Sequence, residues 1–180
     1  MWRGKAFYAS FVKRTAYIQA PHHPGTRIVA VDLRTGDTRD RGTVRVWGFH
    51  QLTPNASGTL LAGDSSTEGG FNSRLAVADL TRRPIRARTI PLPAECCGFA
   101  RWLDNDRFAY FSGTRILLYT ATLQPVGKVS GWIAGEAALL GRTAYGVNLR
   151  GALVRAQLPS GPVQIVRRLP GKPEVVSAAR

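Results

Sequence analysis

Apolar residues in this chain come in short runs, each closed by a polar or glycine-containing turn, and no segment sustains the spacing of a helical face. The clearest run lies within Thr26 to Gly36. There Ile28, Val29, Ala30 and Val31 read as a strand, and Asp32 to Asp37 supplies the polar and glycine punctuation that ends it. The same order of residue types returns at Arg74 to Leu80, Arg115 to Thr120 and Ala152 to Leu158. A second set of echoes precedes each copy, with short apolar strands starting at Arg14, Gly58, Arg107 and Arg142, each at a turn. Those starts lie 44, 49 and 35 residues apart. Units of that length, with several strands in each, belong to propeller blades rather than to helical arrays.

The pattern predicts an all-β chain built from about four four-stranded antiparallel blades, at about 5–47, 48–95, 96–131 and 132–170. Residues 171–180 form a tail that could frame one more strand at Val175 and Val176. In the first unit, strands are expected near Phe7 to Val12, Thr15 to Gln19, Ile28 to Asp32 and Thr43 to Trp47. The second carries the longest insertion, Asp64 to Asn72, and an outer strand from Ile85 to Ile90 whose Arg86 and Arg88 alternate with Ile85, Ala87 and Thr89, as a solvent-facing edge does. The third unit is the cleanest copy, and Phe99, Leu103, Phe108 and Tyr110 are its candidates for packing between sheets. A sheet this thin cannot bury both faces alone, so the units must stack around a common axis.

A turn, a strand such as Thr59 to Ala62, and then a strand such as Leu75 to Leu80 resemble the WD-repeat and TolB-like β-propeller superfamily. Its Ser-Pro-Asp-Gly turn has a nearest match at Thr53 to Gly58 and a second at Leu103 to Asp106, while the Gly-His and Trp-Asp dipeptides of true WD repeats are missing. The resemblance covers nearly all of residues 5 to 170. It implies the fold and leaves function open, because the superfamily hosts scaffolds, binding proteins and a minority of enzymes. It also implies six to eight blades for a closed ring, against four here. Either the ring is small and closed or it is an incomplete propeller. The incomplete ring is favoured, because the end blades are not atypical as capping units should be, and open blade faces would permit self-association.

Charge adds less than its size suggests. The net charge of +14 would attract anionic partners. The basic residues are nearly all arginines scattered along the chain, with no run of five and no basic helix, so nucleic-acid binding is the third choice among functions. Adjacent Cys96 and Cys97 make a disulfide framework improbable, and no Cys-x-x-Cys spacing supports zinc. No apolar run reaches the roughly 18 residues of a membrane span. The apolar stretch Ala6 to Val12 is cut short by Lys13 and Arg14, so no secretory signal is read, and a cytoplasmic location is the expectation.

Catalytic motifs are missing: there is no Gly-x-Ser-x-Gly, Ser-x-x-Lys or His-Glu-x-x-His, and no phosphate-binding glycine loop. No cofactor or metal is expected. Asp32 and Asp79, in matching places, suit capping of the turns that follow them better than catalysis. In propellers of the resembling superfamily, ligands meet the face formed by loops between second and third strands and between blades. Here those loops contribute His22, His23, Trp47, His50, Asp64, Glu68, Glu95 and Trp132, as contacts for a protein partner or as solvated loop residues. The leading expectation is a non-catalytic module presenting these loops as a protein-binding scaffold. The alternative is a fragment of a propeller hydrolase or lyase, with His22, His50, Asp64 and Glu68 carrying the chemistry.

Overall fold

The computed structural model describes residues 8–22, 25–46, 50–65, 74–92 and 98–170, which form sixteen strands and no helix. The first sheet holds β1 (Tyr8–Val12), β2 (Thr15–Pro21), β3 (Thr26–Asp32) and β4 (Thr38–Val44). The second holds β5 (His50–Pro54), β6 (Leu60–Ser65), β7 (Arg74–Asp79) and β8 (Arg86–Pro91). The third holds β9 (Phe99–Trp102), β10 (Arg107–Phe111), β11 (Arg115–Thr120) and β12 (Pro125–Ser130). The fourth holds β13 (Ala134–Leu140), β14 (Thr143–Asn148), β15 (Ala152–Gln157) and β16 (Val163–Arg168). Each sheet is a four-stranded antiparallel meander in chain order, as the repeat pattern requires.

What joins the sheets is three apolar seams. In the first, Tyr17, Ile28 and Val44 of one sheet meet Leu52, Leu61, Ala76 and Ala78 of the next. In the second, Ala62, Leu75 and Val77 meet Phe108, Tyr110 and Tyr119. In the third, Phe111, Ile116, Leu118 and Trp132 meet Ala144, Val154 and Ala156. The third sheet is therefore clad on both sides. That explains why β10 is buried from Phe108 to Phe111 without alternation, since Phe108 and Tyr110 face one neighbour and Ala109 and Phe111 the other. Among the described residues no fourth seam joins the last sheet to the first, and the array stays open.

Polar contacts fix how the sheets are set against each other. The Tyr17 hydroxyl donates to the Gly58 carbonyl at 2.8 Å, tying the first sheet to the β5–β6 turn. Gly58 has φ of +70°, and a Cβ there would lie 2.8 Å from that hydroxyl, so the turn needs glycine for both shape and space. Buried Asn55 accepts from the Thr59 and Leu60 N–H groups at 2.9 and 3.1 Å and donates to the Asn105 carbonyl at 3.2 Å. The Trp102 indole donates to the Thr53 carbonyl at 2.7 Å. The turn that resembles Ser-Pro-Asp-Gly is thus a clamp between the second and third sheets.

The outer strand of the first sheet departs from the sequence expectation. It runs Thr38–Val44 rather than 43 to 47, because its first three residues are exposed and it carries no apolar run. A register shift between Ile28 and Val29, opposite Gly42 and Asp40, places the strand, and an Arg27 to Asp40 ion pair of 2.7 Å crosses it. The 64–72 insertion also begins later than expected, since Asp64 and Ser65 still belong to β6. The strand expected at 175–176, and Cys96 and Cys97, lie outside the described residues.

Trp132 is fully buried, and its ring lies 5.8 Å from that of Phe111 across the third seam. Trp132→Ala should cost about 3–5 kcal/mol in urea denaturation. Trp132→Phe should cost less, because it also removes an indole N–H that has no partner among the described residues. Leu149→Ala, at an exposed turn, should stay within about 0.5 kcal/mol of wild type.

Candidate functional site

The meander order sends the loops between second and third strands, and those between sheets, to one end of the array. The hairpins between first and second strands, and between third and fourth, gather at the other. At the loop end, His22 is exposed in the β2–β3 connection. His23, Trp47, Glu68 and Glu95 lie outside the described residues. His50 opens β5 and pairs in register with Asp64 of β6, so two of the expected residues occupy directly opposed backbone positions. Trp132 differs from the expectation of a surface contact: it fills the third seam, where burying an aromatic ring outweighs anything a loop position would gain.

Asp64 is the one described acid with a frustrated environment. Its Oδ1 is buried without a hydrogen-bond partner among the described residues. Burial pushes its carboxyl up to about 6, against a weaker opposing bond from its own backbone N–H. The other perturbed acids are structural. Asp32 Oδ1 accepts from the Arg34 and Thr35 N–H groups at 2.8 and 3.1 Å, which holds its carboxyl below the usual range. Asp79 is raised by burial, but bonds from the Thr81 hydroxyl and N–H and from Arg82 outweigh that and lower it. Both cap the turns that follow them. Among the described residues no three His, Cys, Asp or Glu side chains are grouped as metal ligands would be.

A groove lies at the hairpin end, away from the loops that the sequence nominates. It has a volume of about 700 Å³ and is lined by the first strands of all four sheets, with Phe11, Lys13, Pro54, Arg101, Trp102 and Leu139 as its main side chains. Phe11 is 64% exposed there, although it is a large aromatic in a strand. The Arg101 guanidinium sits 4.7 Å from the centre of the Phe99 ring and donates to the Ala100 carbonyl at 3.0 Å, which holds it in place. The sequence carries a signal for it: Phe11 and Leu139 stand two residues before the first hairpin turn of their units, and Trp102 stands directly before its own. Chemically the groove offers an apolar floor with the cations Lys13 and Arg101, the Thr53 hydroxyl, and one carboxylate, Asp104, that is paired with Arg107.

No family sequence profile and no curated protein sequence matches this chain. Its architecture is that of the β-propeller, and similar solved structures share the fold at low identity. TolB from Acinetobacter baumannii is similar with 14% identity and a TM-score of 0.61, over 94% of this chain and 45% of that one. The β-propeller domain of the Trilobed protease from Pyrococcus furiosus, described as having an open velcro topology, is similar at 9% identity and 0.59, over 89% and 56%. A chain of the Mitotic Checkpoint Complex is similar at 15% and 0.55, over 89% and 52%. This chain therefore spans about half the length of the propellers it resembles.

The raised carboxyl of Asp64 sets a pH test. The folded form holds its proton more tightly than the unfolded chain, so this group's contribution is complete below about pH 4 and is lost as pH rises toward 6. Asp64→Asn should be more stable than wild type by about 2 kcal/mol at about pH 7, with the difference closing near pH 4, as measured by urea denaturation at both values.

Proposed function

We propose that this chain is a non-catalytic protein-binding module, and that the axial groove receives a segment of its partner. The observation that carries this reading is the open array. Three seams are sealed, while the side of the groove between the first and last sheets carries no seam among the described residues. An extended polypeptide could enter from that side as well as along the axis. Exposed Phe11, with Trp102 and Leu139, supplies an apolar anchor site, and Lys13 and Arg101 favour a segment with acidic flanks. The propellers it resembles include a chain of a multiprotein complex and a domain of a protease, so the fold itself permits either role.

A second reading, a fragment of a propeller enzyme, draws on the His50 and Asp64 positions at the opposite end. The two readings use different ends of the array and can be separated. A photo-crosslinking residue in place of Phe11 or Leu139 should capture one polypeptide from lysate, and excess unlabelled chain should compete it away. Light scattering of the same sample distinguishes a foreign partner from a second copy bound through the terminal sheets. Failure to capture any polypeptide, together with a hydrolase or lyase turnover that His50→Ala abolishes, would replace the binding reading with the enzymatic one.

A further inference from the structure

Several arginines here are tied to the fold. Arg41 donates to the Leu80 carbonyl, Arg83 to the Asp40 carbonyl and Arg74 to the Thr89 hydroxyl, while Arg27 and Arg107 pair with Asp40 and Asp104. Arg86 and Arg88 on β8 are different. Register places Arg86 opposite Asp79 and Arg88 opposite Val77, on the face of the second sheet that turns toward the third. Ala87 between them packs into the seam on the other side. The two guanidiniums, with Arg82, line a groove of about 430 Å³ closed on its far wall by the β11–β12 turn at Ala121 and Thr122.

The groove is cationic in a specific way. Its one carboxylate, Asp79, is already engaged by the Thr81 N–H at 2.9 Å and by Arg82 at 3.5 Å. Among the described residues neither Arg86 nor Arg88 has a side-chain hydrogen bond or ion pair, so two guanidiniums line the groove beside a carboxylate that Arg82 and Thr81 already hold. They alternate on one strand, which puts them about 7 Å apart on one face. The strand that carries them is the outermost of its sheet, and among the described residues no strand pairs with its outer edge. An extended segment adding to that edge would set its own alternate side chains directly across from Arg86 and Arg88.

We propose that the groove between the second and third sheets is an oxyanion site, which binds an extended partner segment carrying phosphates or carboxylates at alternate residues. The proposal rests on the protein-binding reading and names the chemistry of the partner. Both grooves are lined by turns of the hairpin end, so one segment could anchor apolar side chains on the axis and its anionic stretch between the sheets. Arginine suits this role because its planar fork takes an oxyanion through two parallel hydrogen bonds.

Fluorescence anisotropy of the full chain at physiological salt tests it, with a short diphosphoserine peptide, its diglutamate analogue and its uncharged diserine form as probes. Arg86→Ala with Arg88→Ala should weaken the diphosphopeptide by roughly tenfold or more. A control that removes the same charge from the fourth sheet, Arg150→Ala with Arg168→Ala, should change it by less than about twofold. The diphosphopeptide against the diglutamate peptide then ranks the two oxyanions. Equal losses in both double variants would show a general field effect and overturn the site. A single-stranded oligonucleotide that outcompetes the diphosphopeptide, and depends equally on Arg86 and Arg88, would overturn the peptide assignment. Unchanged thermal melting of both variants confirms folding. If crosslinking from Phe11 still captures a partner while the Arg86 and Arg88 substitutions have no effect, this inference fails and the binding reading stands.

Discussion

A four-stranded sheet has two faces and too little material to cover either, and this constraint orders everything else in the molecule. Burial of apolar area is the main favourable term in folding, and a lone blade cannot achieve it. Each seam solves the problem for one face of two sheets at once. The second and third sheets gain twice, which is why β7 and β10 are buried along nearly their whole length. The first and fourth sheets each share one seam, and the outermost strand of every sheet, β4, β8, β12 and β16, is far less buried than β7 or β10.

The same constraint decides which parts of the fold were legible in the sequence. Strands that enter a seam carry apolar runs, so β3, β7, β11 and β15 stand out. Strand β4 lies away from the place its apolar residues suggest, because Thr38, Arg39 and Asp40 face solvent and obey no apolar pattern. Its position comes from pairing with β3 around a bulge, which no local signal announces. Trp132 misled for the opposite reason. A large aromatic between two units looks like a loop contact, yet the small side chains of Ala144 and Ala156 leave room for it in the seam.

Sites were harder to read than strands. The resemblance points to the loop end, where His23, Trp47, Glu68 and Glu95 lie outside the described residues. The hairpin end, with its two grooves, is visible only in outline: Phe11, Trp102 and Leu139 stand close to the first turn of three units, and Arg86 and Arg88 alternate on an outer strand. Alternation showed that these arginines were exposed. It could not show that their face looks across a groove at a neighbouring sheet, since that follows from how two blades are set together. The clamps at Asn55 and Tyr17 hold that setting, so the geometry of the grooves depends on turns that touch no ligand.

Amide hydrogen exchange followed by mass spectrometry addresses the open, stacked arrangement most directly. Strands β6, β7, β10 and β11 should exchange slowest, through global unfolding, with β4 and β16 fastest and the inner strands of the terminal sheets between them. Protection of the first and fourth sheets equal to that of the middle pair would mean that their outer faces are sealed, and would contradict an array with two free ends.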